Sequence, residues 1–303
     1  MRFTRRRRLL MSLPGIAALS LSAFGPARAN SARLGPPVGE PWPETTEAVA
    51  TSSDGTPIFY RYGGEGAVTV LFVHGWSCNH TFFGPQFAPT SRKYRFAAMD
   101  LAGHGQSGPR KQHTVAAFAE DVLAVAARFP GPLVLVVHSA GGRVACHVGP
   151  RLEEQLLGIV GFDTFQNLGL PAPTEERINA SLAALRKDFV GRVEQSMSFL
   201  LPEDADPDLQ RWIVQQMSST QRDQAIAASA AFANDDPAAA VSGFSKPVWA
   251  LNSDGVPTNV EQIRQVMPRF NAQVLIGQSH FLHLVNPSLL NERLLSRLEQ
   301  LTG

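Results

Sequence analysis

From Ala48 onward, apolar runs of strand length alternate with stretches of helix length. Val68–Val73, Arg95–Met99, Leu133–Val137, Leu157–Phe162, Val248–Leu251 and Gln273–Ile276 are short and apolar with little polar alternation. That is the pattern of strands buried on both faces. Between them, Val115, Phe118, Ala119, Val122, Leu123, Val125 and Ala126 recur at helical spacing, which predicts an amphipathic helix over Thr114–Arg128. Pro130-Gly131-Pro132 stops it. Gly141–Val148, Val260–Met267 and Pro287–Leu301 also read as helices, the last with Pro at its start. Buried strands alternating with helices require a mostly parallel sheet covered on both faces, here of about eight strands. Ala48–Thr51 and Ile58–Tyr62, joined by Ser53-Asp54-Gly55, read instead as a hairpin and an antiparallel edge.

The alternation stops between Asp163 and Lys246, for about eighty residues, too long for a structureless loop in a compact domain. Ile178–Val190, Val193–Leu201, Leu209–Met217 and Gln221–Phe232 favour helix, and Pro202, Pro207 and Pro237 punctuate them. The expected organisation is a core of residues 48–164 and 245–303 with a helical cap over 165–244.

The chain of 303 residues carries a formal net charge of +1, which excludes a nucleic-acid binder working by bulk charge. Two cysteines exclude a disulfide-dense scaffold and thiolate-rich zinc sites. The histidines show no metal-ligand spacing, and no cofactor is expected. Arg2, Arg5, Arg6, Arg7, Arg8 and Arg28 crowd residues 1–29, which hold no acid. The apolar run Leu9–Phe24 follows and ends at Ala27-Arg28-Ala29, a small-residue cut site. This is the layout of an export signal, with a twin-arginine character at Arg6-Arg7. The run is too short and interrupted for a stable membrane span. Cleavage near Ala29-Asn30 would leave a mildly acidic protein in the bacterial periplasm or medium, with the export machinery as an expected partner. Residues 30–47, with Pro36, Pro37, Pro41 and Pro43, read as an extended surface leader.

The strand Leu133–Val137 runs through His138-Ser139-Ala140-Gly141-Gly142 into a helix. Such a turn lifts Ser139 off the carboxyl edge of the sheet, where open α/β sheets place their sites. The competing reading is that Ser139 only caps the helix. At the end of Val68–Val73, His74-Gly75-Trp76 turns beside the same edge. The N–H groups of Trp76 and Ala140 would then supply the two donors that an oxyanion needs. Asp254 follows the strand Val248–Leu251, and His280 follows Gln273–Ile276.

These motifs, with Asp100-Leu101-Ala102-Gly103-His104-Gly105-Gln106-Ser107 and Asn286-Pro287, make the chain resemble a capped α/β-hydrolase of the serine esterase and lipase-like branch from Ala48 to Leu301. The resemblance implies Ser139 as nucleophile, His280 as general base, Asp254 as its acid, and Trp76 and Ala140 as oxyanion donors. Val137 and Asn252 depart from the family's small residues at those positions. Asp163, at the end of Leu157–Phe162, is an alternative acid, because some members draw it from that strand. The expected activity is hydrolysis of a small, largely apolar carboxylic ester or lactone through an acyl-enzyme. A carbon–carbon bond hydrolase, a haloperoxidase-like perhydrolase and a non-catalytic receptor of the same fold are the alternatives. Cys78 and Cys146 are expected to be buried free thiols.

Overall fold

The computed structural model describes residues 35–303, so the arginine-rich segment and its cut site lie outside the described residues. The strands are β1 (Thr45–Thr51), β2 (Pro57–Gly63), β3 (Thr69–Val73), β4 (Arg95–Met99), β5 (Leu133–His138), β6 (Leu156–Phe162), β7 (Val248–Ser253) and β8 (Phe270–Leu275). They form one sheet in the order β1-β2-β4-β3-β5-β6-β7-β8. β1 and β2 pair antiparallel, as do β2 and β4, and every other pairing is parallel. The edge hairpin turns at Gly55, whose φ of 86° is easy only for glycine.

The helices are α1 (Gly84–Ser91), α2 (Val115–Ala126), α3 (Gly141–Val148), α4 (Glu175–Lys187), α5 (Phe189–Leu200), α6 (Pro207–Ser219), α7 (Arg222–Ala233), α8 (Pro237–Ala240), α9 (Val260–Arg264), α10 (Leu282–Val285) and α11 (Pro287–Thr302). Helix α1 was not foreseen, because Pro85 and Pro89 mask its pattern; Pro85 sits in the first turn, where a missing N–H costs nothing. β8 begins at Phe270, three residues before the expected run, because Asn271 hides a strand whose Phe270 alone is fully buried in its first half. β1 starts at Thr45, and Trp42 in the leader packs edge-on against Phe87, with Arg61 over its ring.

Alternate residues of each central strand serve opposite faces. Leu71, Val73, Leu135 and Val137 meet Phe118 and Val122 of α2 and Val144 of α3 on one face. Phe72, Val134 and Val136 meet Phe87 of α1 and Leu290 and Leu294 of α11 on the other. Each such buried side chain contributes about 1.5–3 kcal/mol relative to exposure. Residues 165–244 supply helices α4–α8 and no strand. Ile213, Met217, Val193 and Met197 bury one another there, while Phe199 stays 82% exposed. No helix among the described residues is long and apolar enough to cross a membrane.

The direction of strand order reverses where β3 lies between β4 and β5. The loops leaving β3 and β5 therefore diverge at their carboxyl ends and open a crevice. His74-Gly75-Trp76 leaves β3 and Ser139 leaves β5 at that point.

Candidate active site

Ser139 has a φ of 51°, a left-handed conformation that costs a non-glycine residue about 1–2 kcal/mol. Several contacts hold it there. Its N–H donates to Phe162 O at 3.1 Å, and its carbonyl accepts from Gly142 N at 3.0 Å and from Thr164 Oγ1 at 2.7 Å. The turn is packed to backbone contact. A Cβ on Gly141 would lie 2.7 Å from Val73 O, and one on Gly75 would lie 2.9 Å from Ser139 Cβ. Val137 is an ordinary, fully buried strand residue paired with Val73 and Gly161, so the turn begins after it and its size does not obstruct it. Helix α3 is capped at Ala140 without any side-chain hydrogen bond, so Ser139 does not spend its hydroxyl as a helix cap.

The N–H groups of Trp76 and Ala140 donate to no other protein group among the described residues. Trp76 is fastened through its ring instead, with Nε1 donating to Ala225 O on α7 at 2.7 Å. Ser77 Oγ donates to Met217 O on α6 at 2.9 Å. The loop after β3 is thus tied to the helices above it.

His280 Nδ1 lies 2.6 Å from Asp163 Oδ2. The expected pair of His280 with Asp254 does not form. Asp254 is exposed, and its Oδ1 accepts from Gly277 N at 3.1 Å, bracing the turn after β8. The end of β7 supplies supporting groups to the acid on β6. Ser253 N and Oγ both donate to Asp163 Oδ1, each at 2.8 Å, and Gln166 Nε2 adds a third bond at 2.9 Å. Asn252 Oδ1 accepts from Thr164 N at 3.0 Å, while its Nδ2 donates to Thr164 O at 3.2 Å. This clamp accounts for a polar Asn252 at the buried end of an apolar strand. Burial pushes the Asp163 carboxyl up, but the His280 bond and charge and the Ser253 donors outweigh it and hold it below the ordinary value. Asp163 therefore stays ionised and accepts from Nδ1–H of His280, so Nε2 is the ring nitrogen it leaves unengaged.

Sequence reasoning also missed His138. Its Nε2 is 3.1 Å from His280 O, and its ring lies 4.7 Å from the His280 ring. Burial, then the neighbouring His283 and His280, drive the His138 pKa well below 6.5, so the ring is neutral and Nε2–H donates to that carbonyl. His283 is buried in packing contact with Phe83. His74 accepts from Leu101 N at Nε2 and meets Gly75 O at Nδ1, and His104 meets Ala102 O, so both are structural. Cys78 and Cys146 are free and buried, and burial pushes the Cys146 thiol up to about 12.

Ser139, Ala140, Asp163 and His280 share the wall of a cavity of about 370 Å3. No hydrogen bond joins Ser139 to His280, an arrangement that often tightens only around substrate. Phe165, Leu168, Leu200 and Val256 are apolar members of its wall, to which α3 adds Arg143 and Cys146. Phe199, Met197 and Ile213, which also carry helical apolar spacing, do not line it. The described residues contain no group of three or more His, Cys, Asp or Glu arranged to hold a metal ion.

The sequence profile described as the alpha/beta hydrolase family matches residues 70–293. The dihydrolipoyllysine-residue acetyltransferase component of the acetoin cleaving system of Cupriavidus necator is 33% identical over 129 residues, 38% of this chain and 33% of that protein. The pimeloyl-[acyl-carrier protein] methyl ester esterase of Wigglesworthia glossinidia brevipalpis is 24% identical over 143 residues, 46% of this chain and 54% of that protein. The chain thus spans about a third to a half of the length of these curated relatives. Among solved structures, a thermophilic esterase from Thermogutta terrifontis superposes with a TM-score of 0.73 at 19% identity, covering 86% of this chain and 100% of that one.

Proposed function

This chain belongs to the alpha/beta hydrolase family, and from that premise we propose that it is a serine hydrolase cleaving small carboxylic esters or lactones through an acyl-enzyme. The observation that carries this reading is the 2.6 Å contact of His280 Nδ1 with Asp163, in a cavity shared with a strained, uncapped Ser139. His280 Nε2 takes the Ser139 Oγ proton as Oγ attacks the substrate carbonyl carbon. The carbonyl oxygen becomes an oxyanion and accepts the N–H groups of Trp76 and Ala140. As the tetrahedral species collapses, the C–O bond to the alcohol breaks, and His280 returns the proton to the departing oxygen. A water then gives a proton to His280 and attacks the acyl carbon; as the C–Oγ bond breaks, His280 hands that proton to Ser139 Oγ and the acid departs. Asp163 keeps the imidazole oriented and offsets its transient charge.

The assay is a panel of nitrophenyl esters of increasing acyl length, run with and without Ser139→Ala. The substitution is expected to lower the rate by about 10³-fold or more, and an organophosphate is expected to label Ser139. Retention of near-normal activity would refute the reading. Export before action is part of the proposal and rests on residues 1–29 alone; N-terminal sequencing of secreted protein is expected to begin near Asn30.

A further inference from the structure

Beside the cavity that holds Ser139 lies a second one, of about 670 Å3. The two share Arg143, Asn167 and Pro237 in their walls. Arg143 sits on α3, four residues past Ser139, so about 6 Å further along the helix axis. Its side chain is half-buried, yet the only hydrogen bond it makes among the described residues is a long one, 3.4 Å from Nη1 to Asp235 O. No carboxylate of the described residues lies within ion-pair distance of it. Arg177 of α4 lines the second cavity as well, exposed and without an ion pair among the described residues.

The acids nearby do not answer these cations. Asp235 is engaged with His147, whose Nε2 lies 2.8 Å from its Oδ1, and its Oδ2 is buried without a partner. Asp236 accepts from Ala239 N at 3.2 Å as the cap of α8. A guanidinium that borders a reactive serine with free donors is built to receive a planar anion in bidentate fashion. Because Asp235 and Asp236 stand in the same wall, a singly charged group suits it better than a dianion.

We propose that the substrate is a monoester carrying a carboxylate on its acyl chain, with the apolar stem against Phe165 and Leu168 and the carboxylate on Arg143. This rests on the serine-hydrolase reading and narrows its substrate class. The apolar cavity and the charged junction together fit an acid at one end and an ester at the other.

The test compares two methyl esters of equal acyl length, monomethyl adipate and methyl hexanoate, by pH-stat titration. The wild-type kcat/KM is expected to favour monomethyl adipate by about 10-fold or more, the scale of a hydrogen-bonded charge. Arg143→Gln is expected to collapse that ratio towards one, and Arg143→Lys to restore part of it. A ratio that survives Arg143→Gln, or a wild type that prefers methyl hexanoate, overturns the proposal. Binding of monomethyl adipate to Ser139→Ala, by calorimetry, separates it from the parent reading. If no ester is hydrolysed but that binding occurs and is lost on adding Arg143→Gln, the hydrolase reading fails and with it the ester as substrate, while the carboxylate site on Arg143 stands. If both esters are hydrolysed through Ser139 and no Arg143-dependent binding appears, only this one fails.

Discussion

Ser253 donates its backbone N–H and its hydroxyl to the same oxygen of Asp163, each at 2.8 Å. The strand expected to supply the acid instead grips the carboxylate that meets His280. Asp163→Asn is therefore expected to lower kcat by at least about 100-fold, because the amide no longer holds the productive tautomer of His280. Asp254→Asn is expected to stay within about 3-fold of the wild type, as an exposed group bonded only to the turn after β8. Steady-state kinetics of the two variants check the ranking, and the reverse order would return the role to Asp254.

Ser253→Ala tests the grip itself. It removes one donor to Asp163 and leaves the backbone donor in place. The carboxyl pKa should rise, and the acid limb of the kcat profile should move to higher pH. A profile with an unmoved acid limb would mean that the hydroxyl has no hold on the acid.

Stability should fall on acidification well before the carboxylates protonate. Burial, the largest cause in each case, depresses His74, His104, His138 and His283 below 6.5, His104 and His283 to about 3. These rings stay neutral when folded but take up protons when unfolded below about pH 6.5. The unfolded state then binds more protons, so stability drops as pH falls, by at most about 1.4 kcal/mol per pH unit for a ring that is still neutral in the folded state. For a ring at about 3 the loss runs from near pH 6.5 down to that value. Asp163 acts in a separate, lower window. Its folded pKa lies below 3.8, so its contribution is whole above that value and lost only beneath it. Denaturant unfolding at pH 7 and pH 5 measures the first effect, and an unchanged midpoint would contradict it.

Gly141→Ala should damage both fold and activity. The added methyl would meet Val73 O at 2.7 Å and His74 O at 2.9 Å, both backbone atoms that cannot swing aside. A loss of about 1–3 kcal/mol is expected from overpacking, together with displacement of the loop that carries Trp76. Thermal unfolding and kcat report the two parts.

Arg110 is a buried cation between two acids, 2.5 Å from Asp121 and 2.7 Å from Asp54. Asp121 is fully buried and also accepts from Ser52 Oγ and Ala102 N. Asp121→Ala would strand much of that charge and is expected to cost about 3–5 kcal/mol. Asp54→Ala, which removes an exposed partner, should cost far less. Urea titration of both variants checks the difference.

Strand order was legible from β1 to β8 because both faces of the central strands are buried, which leaves apolar runs such as Leu133–Val137 with no competing pattern, whereas the proline-bearing α1 and the short α8 and α10 were not. Ser139 and the loop after β3 were legible because each follows closely on such a run, and His280 because it lies in the turn after the last strand. The partner of His280 was not. Asp163 and Asp254 each follow a parallel strand, so position along the chain cannot rank them. What ranks them is lateral: Ser253 and Asn252 reach across from β7 to the end of β6. A polar Asn252-Ser253 pair closing an apolar strand was the available signal. Arg143 stayed hidden for a similar reason, since its second cavity is assembled from segments distant in sequence, among them Asn167 and Arg177.

Trp76 stands in two structures at once. Its main chain belongs to the loop beside Ser139, and its indole is bonded to Ala225 in the helices overhead. A roof that lifts to admit substrate must either break that bond or carry the residue with it. In the second case the proposed oxyanion donor leaves its post whenever the entrance is open and returns when it shuts. Readiness for chemistry and closure of the entrance would then be one event, timed by a single side chain.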